Sequence, residues 1–339
     1  MQGRSRFTKR TMKPGWLLRF LADQGLEKQA IARVLELHPD DVVDEQGNMP
    51  LDTYLDLFEW TASEFDRPHL GIELAADENQ DDYGVLTFLA SSAGTVAEGF
   101  QLIVRYEGIL QQGAAMRAIE HDEAVELRYT VNTGHTDATR QDVEFTLASM
   151  LAGARTMAGA SVVPLKTCFC HQATEPGADY VRFFGDSVEF QQAHNGIWMD
   201  YDLWLRPIES ANPALLEILK AQADHLLSEL EETGNFLEHI NFLIGSNLGS
   251  EAFSIELLAE HLNMTSRTLH RRIEDHGTNF RTLRLEHMMT AARKALRDSE
   301  ASISDIAQQL GYADSSGFVR VFKRLQGQTP TAYRRRSSH

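Results

Sequence analysis

The sequence predicts an α+β N-terminal domain followed by an all-α C-terminal domain that contains two helix-turn-helix units. Three observations point there. The chain has 339 residues, more than one core usually holds. Helical and alternating patterns interleave up to about residue 232, and only helical patterns follow. The last ninety residues contain a near-repeat.

Residues 1–13 read as a solvated basic tail, with Arg4, Arg6, Lys9, Arg10 and Lys13. The apolar patch after it, Trp16 to Leu21, is short and broken by Arg19, so no export signal is expected. Pro14 suits a first helical turn, Leu17, Leu18 and Leu21 share a face, and Gly25 can end the helix. Further helices fit Glu27 to Leu37 and Leu51 to Phe65, where Leu51, Tyr54, Leu55 and Phe58 recur at helical spacing. Thr95 opens an amphipathic helix to Leu110. The alternating runs Ala115 to Ile119 and Ala124 to Val131 flank a polar turn and read as a hairpin. Thr139 to Ala158 is a long helix. Val162 to His171, Val188 to Gln191 and Gly196 to Met199 are strands, and Pro213 to Glu232 is a helix that closes the domain.

The two cysteines, Cys168 and Cys170, fall in the first of those strands on one face, and are expected to be small buried side chains. So few cysteines fit a reducing cytoplasm rather than a disulfide framework. No run of about 18 apolar residues occurs, so no membrane span is expected. His135, His171, His194 and His225 are scattered without ligand spacing. No phosphate loop, nucleophile elbow or triad appears, so neither a metal, a cofactor nor an enzyme is expected.

The net charge of −17 is unevenly distributed. Residues 251–339 hold 14 Lys and Arg against 10 Asp and Glu, whereas the remainder holds 18 against 39. A basic module on an acidic body is the asymmetry expected of a protein with one nucleic-acid face.

The repeat lies within that module. One copy starts at Ser254 and the other at Ser302, each serine able to cap a helix. Each copy centres its first helix on a small residue, Ala259 or Ala307. A short turn follows, containing Gly311 in the second copy. The second helices carry Leu269 and Ile273, or Phe318 and Phe322, on the core side and polar or basic residues on the other. The units span about residues 254–275 and 302–324 within a domain drawn from 233 to 339. A helix from Phe280 to Asp298 joins them; at about 1.5 Å per residue it reaches roughly 28 Å, approaching the roughly 34 Å of one DNA turn.

Ile306, Ala307, Gly311, Tyr312, Phe318, Phe322, Lys323, Gly327, Pro330, Tyr333 and Arg334 sit at the spacing of a known signature. By it, the segment from Ser254 to Arg335 resembles the DNA-binding domain of AraC/XylS-type regulators. The resemblance implies base reading by Arg267, His270 and Arg271 in the first unit, and by Ser315, Ser316, Gly317 and Arg320 in the second. Gly317 departs from the polar residue common there, which implies weaker direct readout by that unit. Arg272, Arg281, Lys323, Arg324 and Arg334 to Arg336 read as phosphate contacts.

Residues 14–232 resemble, more loosely, the effector domain of the branch named for arabinose binding, which includes ornithine-utilisation regulators. Tyr83 to Leu86, the helix to Tyr106, Val181 to Phe190 and Pro207 carry that likeness. An apolar effector pocket is then expected, with Trp198, Tyr201 and Trp204 as candidate walls. The resemblance as a whole implies a regulator, expected to be an activator, with promoter DNA, a small-molecule effector, a second copy of the chain and RNA polymerase as partners. The competing reading is a ligand-independent repressor or DNA-architectural protein whose N-terminal domain only oligomerises.

Overall fold

A computed structural model describes residues 11–38, 42–43, 47–76, 84–111, 113–131, 139–159, 162–175, 177–230, 236–246, 254–262, 264–298, 301–312 and 314–337. The chain divides into two compact units, Met1–Glu238 and His239–His339. The boundary expected between residues 232 and 233 lies outside the described residues.

In the first unit β1 (Thr11–Met12), α1 (Gly15–Asp23), α2 (Lys28–Val34), β2 (Met49–Pro50), α3 (Leu51–Glu64), α4 (Leu70–Ala76), α5 (Val85–Ser92) and α6 (Val96–Tyr106) precede the main sheet. A 3-10 turn, Glu107–Ile109, extends α6. Then come β3 (Ala114–Glu120), β4 (Ala124–Val131), α7 (Arg140–Ala158), β5 (Lys166–Cys168), α8 (Ala178–Phe184), β6 (Val188–Glu189), β7 (Asn195–Asp200), α9 (Tyr201–Trp204) and α10 (Pro213–Leu230). The sheet order is β3-β4-β7-β5-β6, antiparallel except for the β5–β6 pair. The β3–β4 turn is closed by His121 N–H donating to the Ala124 carbonyl at 2.8 Å. Val125, Leu127, Tyr129, Ile197 and Met199 alternate onto one buried face, against which α7 packs.

Three expectations need correction. Thr11 and Met12, assigned to a solvated tail, pair with Met49 and Pro50, and Met12 is buried; residues 1–10 lie outside the described ones. The strand expected from Val162 to His171 shrinks to Lys166–Cys168. Pro164 cannot donate to a ladder. After Cys168 the fully buried Phe169 leaves the strand to pack on Tyr180, Phe184 and Phe190. That departure also separates the cysteines: Cys168 is buried but Cys170 is exposed, and both are free.

Helix α7 organises the unit. Gly71 of α4 lies so close that an added Cβ would run into the Gln141 carbonyl and the Phe145 nitrogen. Gly71→Ala is therefore expected to cost about 1 kcal/mol or more, because backbone rather than a flexible side chain must move. Urea unfolding followed by tryptophan fluorescence measures it.

The buried face of α7 also carries acids. Asp142 accepts hydrogen bonds from Tyr54 and Tyr129 at 3.0 and 2.9 Å, and burial raises its pKa to about 6. Glu144 accepts from Tyr180 at 2.6 Å, and burial raises its pKa to about 7, against the opposing pull of Arg140. A carboxyl raised in the folded state stabilises below its unfolded pKa and loses that contribution as pH rises through the folded value. The loss from this pair runs from about pH 4 to about pH 7. His171, 3.5 Å from Glu144 and lowered by burial, acts in the opposite sense on the acid side. Glu144→Gln, which keeps an acceptor for Tyr180, is expected to gain stability relative to the parent chain as pH rises from 5 to 8. Equal pH profiles for both proteins would refute it.

The second unit is helical throughout its described residues. It holds α12 (Ile255–His261), α13 (Ser266–Asp275), α14 (Phe280–Asp298), α15 (Ile303–Gln309), α16 (Ser315–Gln326) and α17 (Pro330–Ser337); α11 (Phe236–Ser246) precedes them and starts three residues before the division. Met289, Ala292, Leu296, Ile306, Ala307, Leu310, Phe318 and Phe322 form one core, with Tyr333 packed against it.

Candidate nucleic-acid interface and ligand cavity

The two helix pairs repeat each other down to single hydrogen bonds. Ser254 Oγ accepts from Leu257 N at 3.4 Å, and Ser302 forms a capping box with Asp305. The turn after each first helix is closed by the same bond, Met264 N to the Ala259 carbonyl at 2.7 Å and Tyr312 N to the Ala307 carbonyl at 2.9 Å. Gly311 adopts the expected left-handed conformation, φ +77°. Each second helix then starts at a capping side chain. Thr265 accepts from Thr268 N at 3.1 Å, and Asp314 from Gly317 N at 2.8 Å. The closing bonds are 48 residues apart and the caps 49, so the second turn is one residue longer.

Burying Leu269 and Ile273 turns Arg267, His270 and Arg271 of α13 into solvent. Burying Phe318 and Phe322 does the same for Ser316 and Arg320 of α16, while Ser315 and Gly317 are half-buried. An added Cβ at Gly317 would meet only the Tyr312 ring at 3.6 Å and Asp314 Oδ1 at 3.8 Å, an ordinary contact, so nothing in the packing demands glycine there. Arg281, Lys323, Arg324 and Arg335 are exposed and Arg272 is half-buried. Arg334, expected to contact phosphate, is partly buried and donates from Nη2 to the Ala301 carbonyl at 2.6 Å, tying α17 to the segment before α15. The side chain of Arg336 lies outside the described residues.

The first unit holds a partly open cavity of about 330 Å³. Met12, Trp16, Leu86, Phe100, Ile103, Leu110, Met116, Phe145, Met150 and Met157 make it mostly apolar, and Thr87, Glu107, Gln111, Thr146, Ser149 and Thr156 supply polar atoms. Glu107 is buried, and its Oε2 accepts from Met116 N at 2.8 Å. Its Oε1 and the Ser149 hydroxyl have no hydrogen-bond partner among the described residues. Burial lifts the Glu107 carboxyl well above the ordinary range, partly offset by the Met116 N–H and by Arg117.

Residues 25–208 match the family described as the arabinose-binding domain of AraC transcription regulators, N-terminal, and residues 258–336 match a helix-turn-helix domain. The chain belongs to the AraC family of transcription regulators. It is similar to the ornithine utilization regulator of Pseudomonas aeruginosa, 24% identical over 321 residues that cover 94% of both chains. It is also similar to the HTH-type transcriptional regulator VirS of Mycobacterium tuberculosis, 25% identical over 317 residues, 93% of this chain and 92% of the relative. Among solved structures it resembles the transcriptional regulator CdpR from Pseudomonas aeruginosa, at 23% identity, 91% and 96% coverage and a TM-score of 0.45. These relatives are named as regulators, and this AraC-family chain is a DNA-binding transcription regulator rather than an enzyme. No helix among its described residues is long and apolar enough to cross a membrane.

None of the candidate pocket walls of this AraC-family chain lines the cavity. Trp198 lies on β7, stacked with His121 at 4.6 Å and capped by Lys166. Tyr201 donates to Glu120 at 3.4 Å. Trp204 is buried behind Phe100, its ring 5.8 Å away, so only Phe100 reaches the cavity. His135 lies outside the described residues. The cavity itself had a legible signal: Phe100, Ile103, Glu107 and Leu110 follow one helical stripe, and an acid on an apolar stripe marks a buried polar site. Ser149, Gly153 and Thr156 form a second such stripe on α7.

Proposed function

We propose that this regulator activates transcription by binding a bipartite promoter site through α13 and α16, and that a small metabolite held in the α1–α5–α6–α7 cavity alters that binding. The observation that carries the DNA half is the pair of capped helices, each with one face in the core and a polar or basic face in solvent. Arg267 and Arg271 pair with guanines, and His270 adds a third contact. Ser315, Ser316 and Arg320 read less directly. Arg272, Arg281, Lys323, Arg324 and Arg335 neutralise phosphates. The cavity supplies the effector half: metabolite bound there favours one DNA-competent form of a homodimer over others, and the bound form recruits RNA polymerase.

Footprinting tests the first half. The expected pattern is two protected major-groove segments on one side of the duplex, about one turn apart. Protection of a single segment shorter than one turn refutes two-unit reading. A metabolite that changes promoter affinity supports the second half; promoter affinity and transcription indifferent to every metabolite that binds the chain would favour a ligand-independent regulator.

A further inference from the structure

The cavity's lining restricts what it can hold. Among the described residues that line it, Glu107 carries the only ionisable side chain, and none is Lys, Arg or His. An anionic ligand would come up against the Glu107 carboxyl itself, and the one opposing charge felt there, Arg117, already acts on that carboxyl and is not among the lining residues, so a second negative charge is disfavoured. A sugar would need partners for hydroxyls on all its faces, whereas only about one lining side chain in three is polar and the rest are methionine, leucine, isoleucine, alanine, glycine and aromatic residues. A zwitterionic amino acid fails for the same reason as an anion, since its carboxylate would find no cation.

An amine with a hydrocarbon body meets both demands. Whether its proton sits on nitrogen or on Glu107, the amine and the carboxyl together are neutral, so no net charge is buried. Glu107 Oε2 is held by Met116 N, which fixes the carboxyl, and Oε1 has no partner among the described residues. The Ser149 hydroxyl, also without a partner among the described residues, and the Gln111 carbonyl line the same cavity and offer acceptors for the remaining N–H groups of an ammonium. Trp16, Phe100 and Phe145 offer ring surface to the hydrocarbon part. The volume of about 330 Å³ lies at the small end of ordinary ligand pockets, so it suits a small molecule.

We infer that the cavity binds a small amphiphilic amine through the buried carboxyl of Glu107, and that it rejects sugars, carboxylates and amino acids. This rests on the proposed role of the cavity as an effector site, but its test needs no DNA.

Three probes share one chain and differ in the head: n-octylamine, n-octanol and n-octanoate, with L-arabinose as a polyol control. Each is titrated against the full chain below its aggregation threshold, by thermal shift and calorimetry. The amine is expected to raise the melting temperature and to bind at least tenfold more tightly than octanol; octanoate and arabinose are expected to give no shift. Within n-alkylamines, affinity should rise about fourfold per methylene until the cavity is full. Glu107→Gln should abolish the preference for amine over alcohol while retaining octanol binding. Should that variant fold poorly, Gly153→Leu offers a second route. An added Cβ at Gly153 meets nothing within 4 Å, and this cavity-lining residue is helical, so a larger side chain would fill the cavity and remove amine binding. Octanoate or arabinose binding as tightly as octylamine, or an unchanged amine preference in Glu107→Gln, overturns the inference. Failure of the DNA footprint would instead refute the regulatory reading and leave the ligand result standing.

Discussion

Arg271→Ala is expected to weaken binding to the cognate operator by about 1–3 kcal/mol and to relax preference at one base position. Arg271 is exposed on α13, two residues before the buried Ile273 that fixes the helix in its core. An arginine so placed forks onto a guanine edge, and alanine forfeits both hydrogen bonds at once. Lys323 is the informative comparison. It is exposed in the last turn of α16, where a point charge suits a phosphate. Lys323→Ala should weaken all sequences alike and lower the salt slope by about one unit. Operator selection with each variant, followed by titration at several salt concentrations, distinguishes the two; identical base preferences and identical salt slopes would show that these residues were assigned the wrong roles.

Phe322→Ala is expected to cost about 3–5 kcal/mol, most of what a domain of this size commonly has to spare. Phe322 is fully buried, 5.6 Å from the rings of both Phe318 and Tyr333, so it joins α16 to α17. The four tryptophans, Trp16, Trp60, Trp198 and Trp204, all belong to the first unit, so their fluorescence follows that unit alone. The expected result is a lower midpoint by far-UV circular dichroism, an unchanged midpoint by tryptophan fluorescence, and loss of operator binding. Retained binding at an unchanged dichroism midpoint would mean that the core repacks around the lost ring.

The C-terminal domain was legible because its signals are local. Serine caps, a small residue at the helix crossing, Gly311 in the turn and apolar residues at helical spacing each lie within a few positions of what they determine. Arg334 escaped that reading because its partner, Ala301, is 33 residues away and shows nothing in its side chain. In the N-terminal domain the helices and hairpin followed from periodicity, but α4 and α8 are only seven residues each and too short to announce a period. Trp198, Tyr201 and Trp204 were attractive as large aromatics, yet which of them faces a cavity depends on β7 pairing with β4 and β5, a long-range fact. Glu107 was the reverse case, a local anomaly on an apolar stripe that only the three-dimensional fold connects to Ser149 and Met116.

The single helix α14, 19 residues without a break, bears on how such a regulator acquires new targets. A loop between two readers would let them slide relative to each other and accept several operator spacings. A continuous helix instead locks phase as well as distance. One residue added within it turns everything beyond by about 100° and advances it about 1.5 Å. One base pair added between half-sites turns DNA by only about 34° and advances it about 3.4 Å. The two lattices never compensate each other step for step. Operators for this chain should therefore tolerate changes of base more readily than a one-base-pair change of spacer, and a new spacing would require the helix to be repacked rather than merely lengthened.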